Sequence, residues 1–376
     1  MHAAISIPSE LLPHDGRFGS GPSKVSERQL EALRAAQPGI LGTSHRQAPV
    51  KDLVGDIRAM LTDFFSLPEG YEVVLGNGGS SLFWDAAAYS LVERRAQHCV
   101  HGEFGSKFAA ATLGAPHLES SSVRQADAGS IALPEAEDGV DVYAWAHNET
   151  STGALAPVSR VRGAGDALMV VDGTSAAGGT HLDASQVDAY YFAPQKSFAS
   201  DGGLWFALMS PAAVTRVDRI AAGSRYIPAI LSLQDAIVNS RQNQTVNTPA
   251  LATLVMMRAQ LAWLLDNGGM AFAASRTADS AARLYGWAEA SSYAEPFVSN
   301  TTYRSPVVGT VDLAAHVDSS AVREVLRAHG VVDVDPYRKL GRNQLRVGMF
   351  PSVEPEDVSR LTSAIDHIVR EMSTRA

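Results

Sequence analysis

Two uninterrupted apolar runs, each leading into a charged side chain, constrain this chain more than any other feature. They are Ala167-Leu168-Met169-Val170-Val171, closed by Asp172, and Asp188-Ala189-Tyr190-Tyr191-Phe192-Ala193, followed by Lys196. Runs of this kind are what strands buried on both faces of a parallel sheet require. If both are parallel strands, the acid and the amine leave the same carboxyl-terminal edge, where open α/β sheets place their ligands. A lysine there can condense with the aldehyde of pyridoxal 5'-phosphate, and an aspartate on the pyridine nitrogen keeps that ring protonated and electron-accepting. Strand-end aspartates and loop lysines also occur in α/β enzymes of other chemistry, so the pair alone leaves that alternative open. Lys196 sits, however, in a small loop, Gln195 to Gly203, that runs at once into another strand-like segment, Leu204–Met209. That setting favours a functional lysine over a solvated surface charge.

A chain of 376 residues exceeds what one core usually supports, so two domains are expected. With 45% hydrophobic and 19% charged residues it reads as an ordinary globular protein. A net charge of −9 with no Lys/Arg block argues against nucleic-acid binding, and anionic substrates would need local basic residues. Cys99 is the single cysteine, which excludes an intrachain disulfide and any multi-cysteine metal site; no metal is expected. No signal-like N-terminus or membrane-length apolar stretch appears, so a cytoplasmic location with no membrane partner is expected.

Residues 1–24, with Pro8, Pro13, Gly16, Gly19, Gly21 and Pro22, read as an irregular arm. Apolar spacing predicts helices over Val54–Phe65, Leu82–Val92, Pro249–Leu265, Met270–Ala290, Ser320–His329 and Glu354–Met372. Strands are expected over Tyr71–Leu75, His98–His101, Val140–Ala146, Leu168–Asp172, Ala189–Ala193, Leu204–Met209, Pro306–Leu313 and Gln344–Phe350. The polar segment Ala115–Gly139 reads as surface loop. Alternating strands and helices favour a mainly parallel sheet wrapped by helices, and the stop at Asn267-Gly268-Gly269 marks a boundary before a compact α+β C-terminal domain.

Other residues fall at the same expected edge. Asn77-Gly78-Gly79-Ser80-Ser81 joins a strand to a helix, so its N–H groups and hydroxyls are able to cradle a phosphate; it is neither a dinucleotide fingerprint nor a Walker loop. Phe104, just past a strand, is either a ring-facing aromatic or a core residue. Thr150 and Asn148, in His147-Asn148-Glu149-Thr150-Ser151-Thr152-Gly153, are either ligands or turn formers. Arg46 suits a bidentate clamp on a carboxylate or phosphate. Arg346, inside a strand-like run, needs either a solvent-facing side or a buried anion.

Taken together, Arg17-Phe18-Gly19-Ser20-Gly21-Pro22-Ser23, Gly42-Thr43-Ser44-His45-Arg46, Gly76-Asn77-Gly78-Gly79, Ala146-His147-Asn148-Glu149-Thr150, Val171-Asp172, Ala193-Pro194-Gln195-Lys196, Asn247-Thr248-Pro249 and Leu345-Arg346-Val347 resemble the phosphoserine aminotransferases, within the class V, fold-type I pyridoxal phosphate enzymes. The run Thr43 to Lys51 is similar to the actinobacterial branch. The resemblance implies a mainly parallel seven-stranded sheet with a smaller α+β C-terminal domain. It divides the chain into an arm (1–16) on the small domain, a large cofactor-binding domain (17–267) and a small domain (268–376).

The resemblance also implies roles for individual residues. Lys196 carries the cofactor, Asp172 meets the ring nitrogen, Thr150 the phenolic oxygen and Phe104 the ring face. Ser80, Ser81 and Gln195 hold the cofactor phosphate, joined by Asn247 and Thr248 of the other subunit of a homodimer with shared active sites. Arg346 takes the substrate α-carboxylate, His45 and Arg46 the distal phosphate or the glutamate side chain, and Ser20 lines the same pocket. Two departures stand out: the ring-stacking place, often tryptophan, is Phe104, and the basic pair before the carboxylate arginine is replaced by Lys339-Leu340-Gly341-Arg342, which makes Lys339 and Arg342 the candidate phosphate ligands. The implied reaction moves an amino group between L-glutamate and 3-phosphohydroxypyruvate, with a related phosphorylated keto acid of pyridoxine synthesis as a further substrate. The rival is a class V alanine– or serine–glyoxylate aminotransferase, which needs no phosphate pocket.

Overall fold

A computed structural model describes residues 5–375. Residues 1–4 of the expected arm and Ala376 at the end of the expected small domain lie outside the described residues. The frame is a seven-stranded sheet built from β1 (Glu72–Asn77), β2 (Ala96–Val100), β3 (Ser122–Gln125), β4 (Val142–Ala146), β7 (Leu168–Asp172), β8 (Ala189–Phe192) and β9 (Leu204–Met209), in the order β1-β9-β8-β7-β4-β2-β3. The short β5 (Asn148–Glu149) and β6 (Ala154–Leu155) form a separate hairpin. Strand β9 runs against both of its neighbours, and the other six are mutually parallel.

The apolar runs are continuous because both faces of the sheet are covered. Tyr143, Trp145, Met169, Val171, Tyr190 and Phe192 pack on one side with Val54, Ile57 and Leu61 of α2 (Ala48–Phe64) and Leu254, Leu261 and Leu264 of α7 (Leu251–Asp266). The alternate residues Val142, Ala144, Leu168, Val170, Ala189 and Tyr191 pack on the other with Phe83 and Trp84 of α3 (Ser80–Ser90), Phe108 of α4 (Glu103–Leu113), Val217 of α5 (Pro211–Ala221) and Ile237 of α6 (Leu233–Arg241). This period-two division is the pleat of a doubly covered sheet. Asp172 continues the second series, so it faces α3.

A second core gathers around the antiparallel sheet β10 (Ala294–Pro296), β11 (Val308–Leu313) and β12 (Gln344–Gly348). Ala281, Leu284 and Ala288 of α8 (Gly269–Ala290), Val322, Val325 and Leu326 of α9 (Ser319–Ala328) and Leu361, Ile365 and Ile368 of α10 (Pro355–Arg375) fill it, together with Ile5, Ile7 and Phe18 from the N-terminal segment. The segment is stitched on by backbone: Gly348 N–H donates to the Phe18 carbonyl at 2.7 Å and Val332 N–H to Gly16 at 2.8 Å. Helix α8 spans both cores, since Ala273 packs with the large sheet and Leu284 with the small one. Two glycines open the helix at Gly268 and Gly269, with φ of 115° and 64°.

The expected loop Ala115–Gly139 is corrected at one point, because it contains β3. Ser122-Val123-Arg124-Gln125 is an edge strand with no fully buried residue, Val123 and Gln125 facing out and Ser122 and Arg124 half-buried, so it carries no apolar run to betray it. Helices α1 (Glu27–Ala35), α4, α5 and α6, the β5–β6 hairpin and strand β10 are further elements with no counterpart among the expectations. Among the described residues no helix is long and apolar enough to cross a membrane.

Candidate active site

Strands β1, β2, β4, β7 and β8 all end at one edge of the sheet, and each delivers a candidate residue there. Beyond β1 come Gly78 to Ser81, beyond β2 Phe104, beyond β4 Asn148 and Thr150, at the end of β7 Asp172, and beyond β8 Gln195 and Lys196. The Lys196 amine donates to the Ser20 carbonyl at 2.7 Å, while Ser23 N–H donates to the Gln195 carbonyl at 2.7 Å, so the N-terminal segment that packs with the β10-β11-β12 core also runs over the lysine. Gly21 explains the close approach: a Cβ there would fall 1.8 Å from the Lys196 nitrogen, and its φ is 142°. Burial holds the Lys196 amine down at about 8, helped by the Arg346 guanidinium and opposed by the Asp172 carboxylate. The acid and the amine therefore lie close enough to interact electrostatically.

Asp172 is buried, and burial raises its pKa against several donors. Thr174 supplies its N–H at 2.8 Å and its hydroxyl, which bridges Asp172 to Ser80 at 2.6 Å. The Tyr191 hydroxyl and Trp84 indole N–H lie beside the carboxylate, outside hydrogen-bonding geometry yet near enough to favour its charged form. Helix α3 is capped by Gly79, whose carbonyl accepts from Leu82 N–H at 2.9 Å and which offers no side chain, so no side chain caps the helix N-terminus beside Ser80 and Ser81. Gly78, at φ 105°, turns the chain into that position.

Asn77 ties the same loop to the segment carrying Asn247 and Thr248: its amide donates to the Thr248 carbonyl at 2.9 Å and its oxygen accepts from Asn247 N–H at 3.3 Å. The Thr248 hydroxyl meets His45 Nδ1 at 3.1 Å. Burial and neighbouring Arg46 hold the His45 imidazole below its usual range, and Arg46 itself is exposed.

Arg346 lies on β12 between the core residues Leu345 and Val347, facing the large domain, so neither a solvated strand nor a structural ion pair describes it. One guanidinium nitrogen donates to the Thr150 carbonyl at 3.2 Å, while Nε is buried with no partner, a geometry that leaves it open to a carboxylate. Tyr337 lies between this arginine and Phe104, 5.4 Å from the guanidinium and 6.2 Å from the Phe104 ring centre. The remaining basic candidates are placed elsewhere. Arg342 is held bidentately by Asp312 and lies 4.6 Å over Phe297, and Lys339 pairs with Glu103. Cys99 is wholly buried in β2 with its thiol pushed up to about 12, which removes it as a nucleophile.

Four contributors were not picked out from the sequence as site residues. Thr174 bridges Asp172 and Ser80. Ser175 accepts from Asn148 Nδ2 and Thr150 Oγ1, both at 2.7 Å, and so fixes these two side chains to each other. Tyr337 and Gly21 complete the set. The signal for the first two was the polar run Gly173-Thr174-Ser175 directly after the strand; for Tyr337 there was none, because only the docking of the small domain brings it to Phe104. The arrangement fits pyridoxal 5'-phosphate on its own terms: an amine kept partly uncharged, a buried carboxylate opposite, an uncapped helix N-terminus for a phosphate and an arginine with an open face.

The aminotransferase class-V family model matches residues 20–334. "Phosphoserine aminotransferase" of Rhodococcus jostii is 55% identical over 366 residues, covering 97% of this chain and 98% of that protein. "Putative phosphoserine aminotransferase" of Mycolicibacterium vanbaalenii is 59% identical over 368 residues, 98% and 99% of the two chains. A crystal structure of a phosphoserine aminotransferase from Cytophaga hutchinsonii superposes with a TM-score of 0.85 at 20% identity, covering 94% of this chain and 99% of that one, a likeness of fold.

Proposed function

We propose that this chain, which belongs to the class V aminotransferases, is a pyridoxal phosphate-dependent phosphoserine aminotransferase that exchanges the amino group of L-glutamate with 3-phosphohydroxypyruvate to give O-phospho-L-serine and 2-oxoglutarate. The single observation that carries the chemistry is the half-buried Lys196 amine, which donates to the Ser20 carbonyl at the sheet edge where β7 delivers Asp172 and is held down to about 8 by desolvation and Arg346. The substrate assignment rests on the similarity to proteins of that name at 55% and 59% identity over nearly the whole chain. The glyoxylate aminotransferases, kept as a rival on sequence grounds, have no specific observation in their favour.

When bound, pyridoxal 5'-phosphate supplies an aldehyde that condenses with amines and a protonated ring that takes up the electron pair left at an α-carbon. Lys196 would tether it, and its amine, with a depressed pKa, is suited to carrying a proton at the substrate α-carbon. Asp172, kept in place by Thr174, would hold the ring nitrogen's proton. Ser80, Ser81 and Gln195, at the N-terminus of α3, would take the cofactor phosphate; Phe104 would lie toward the ring, and Thr150, whose hydroxyl donates to Ser175 in this chain, would meet the phenolic oxygen. Arg346 receives the α-carboxylate through its unpartnered Nε. His45 and Arg46 attract the second anionic group, with Ser20 lining the pocket, and the phosphate's near-double charge makes such local cations necessary in an acidic protein.

The same reading places the enzyme in serine biosynthesis and in the cytoplasm, and takes residues 17–267 as the large domain and 268–376 with the 1–16 arm as the small one. It makes the active unit a homodimer in which Asn247 and Thr248, exposed in the single chain, reach the partner's phosphate site. Lys339 and Arg342 are the weaker phosphate candidates, since each already has a carboxylate partner. The test is the visible spectrum of the purified, cofactor-loaded protein. Glutamate should bleach the band near the yellow region, and 3-phosphohydroxypyruvate, but not pyruvate or glyoxylate, should restore it. Restoration by glyoxylate alone would transfer the assignment to the rival.

A further inference from the structure

Helix α4 begins without a capping side chain of its own: its N-cap is Gly102. The missing cap comes from another strand connection. Glu149, wholly buried, accepts from the backbone N–H groups of Phe104 (3.0 Å) and Gly105 (3.1 Å) through one carboxylate oxygen. Its other oxygen accepts from Ser151 N–H (3.1 Å) and Ser151 Oγ (2.6 Å), and Ser151 Oγ in turn accepts from Glu103 N–H (3.1 Å). A carboxylate at a helix N-terminus is favoured by the helix dipole, and four donors offset the cost of burying it. The glycine at 102 belongs to the same device, because a Cβ there would lie 2.3 Å from Glu149 Cγ and 2.6 Å from Ser151 Oγ.

The turn that carries Glu149 is also gripped from the small domain. Arg346 donates to the Thr150 carbonyl, Thr310 Oγ1 donates to the Thr152 carbonyl at 2.7 Å, and Ser305 N–H donates to the Gly153 carbonyl at 3.0 Å. Phe104 and Thr150 thus reach the cavity from two different connections, after β2 and after β4, and the Glu149 carboxylate is the group that joins those connections.

We infer that Glu149, with Ser151, is a positioning residue: by welding the first turn of α4 to the 148–153 turn it sets the Phe104 ring at a fixed distance from the Thr150 hydroxyl, and so fixes the slot into which a flat phosphorylated aldehyde cofactor fits. This rests on the functional reading above, since Phe104 and Thr150 matter as a pair only if the ring lies between them. The hydrogen bonds the carboxylate makes in this chain are to the N–H groups of Phe104, Gly105 and Ser151 and to the Ser151 hydroxyl. Its contribution is to the spacing of Phe104 and Thr150, and that contribution is separable from its contribution to folding.

The experiment compares wild type with Ser151→Ala and Glu149→Gln. Ser151→Ala deletes one donor to the carboxylate and the acceptor for Glu103 N–H while leaving the backbone bonds to Glu149 intact. Glu149→Gln presents an amide N–H to donors and is the harsher change. For each protein, freed of cofactor, the dissociation constant for pyridoxal 5'-phosphate is measured by fluorescence titration well below the melting temperature, together with the melting temperature itself and the induced circular dichroism of the bound cofactor's visible band. The expected result for Ser151→Ala is a cofactor-free melting temperature close to wild type, with a dissociation constant raised about tenfold or more and a weakened dichroic band. Wild-type affinity and dichroism in Ser151→Ala, whatever the melting temperature, would overturn the inference and leave Glu149 as a helix cap only. If Glu149→Gln does not fold, Ser151→Ala decides alone. Failure of the wild type to bind pyridoxal 5'-phosphate would instead refute the functional reading.

Discussion

Replacing Arg346 by glutamine, and Asp172 by asparagine, tests what keeps the Lys196 amine reactive. Its pKa falls from 10.5 to about 8 through burial first and the Arg346 guanidinium second, with Asp172 pulling the other way. A fall of that size represents about 3 kcal/mol of bias against the ammonium form. At pH 7.5 it leaves roughly a quarter of the amine uncharged, against roughly one part in a thousand for an ordinary lysine. Removing the arginine's charge should raise the pKa, but not to 10.5, since burial is the larger cause and persists. Removing the carboxylate's charge should lower it further. The assay is the rate at which cofactor-stripped protein captures pyridoxal 5'-phosphate, followed by borohydride trapping from pH 6 to pH 10. The midpoint of each profile, rather than the absolute rate, carries the information, because Arg346 also attracts the anionic cofactor. The wild-type midpoint should lie near 8, that of Arg346→Gln above it and that of Asp172→Asn below it. A wild-type midpoint near 10, or shifts in the reverse order, would refute the electrostatic account of this site.

Two further outcomes follow from particular contacts. Gly21→Ala places a methyl where the Lys196 nitrogen lies, 1.8 Å away, and adds strain at a positive φ, so the borohydride-trapped adduct should form at least tenfold more slowly while the melting temperature of the cofactor-free protein falls only modestly, by about 1–3 kcal/mol in stability terms. Arg46→Ala should raise KM for 3-phosphohydroxypyruvate by about an order of magnitude more than for a non-phosphorylated keto acid, reflecting loss of a charge-assisted contact; equal losses for both would make Arg46 structural.

The two strand ends that carry the chemistry were legible because burial on both faces forces an apolar run, and a charge directly after such a run stands out. Strands β7 and β9 match their expected bounds, Leu168–Asp172 and Leu204–Met209. Elements with mixed composition were among those missed. Strand β3 pairs only with β2 and buries no side chain fully, and α1 fully buries only Gln29, so neither shows an apolar pattern; α5 and α6 do carry a helical stripe, Ala213-Val214-Val217-Ile220 and Leu233-Ala236-Ile237, that the expectations did not include. Pro49 marks the start of α2, six residues before the expected one, where a proline fits the first turn of a helix.

The sequence by itself determined the fold class and placed Asp172 and Lys196, the acid and amine of the proposed site, at one edge of the sheet, because each follows from local order along the chain: apolar run, charge, glycine turn, helix. Only the tertiary structure decided how Lys196 meets the Ser20 carbonyl, that Arg346 faces the cavity instead of solvent, that Arg342 is occupied by Asp312, and that Glu149 bridges two connections. These depend on segments far apart in sequence being packed face to face, and which donor meets which acceptor there is set by the docking of one core against the other, which no local pattern encodes.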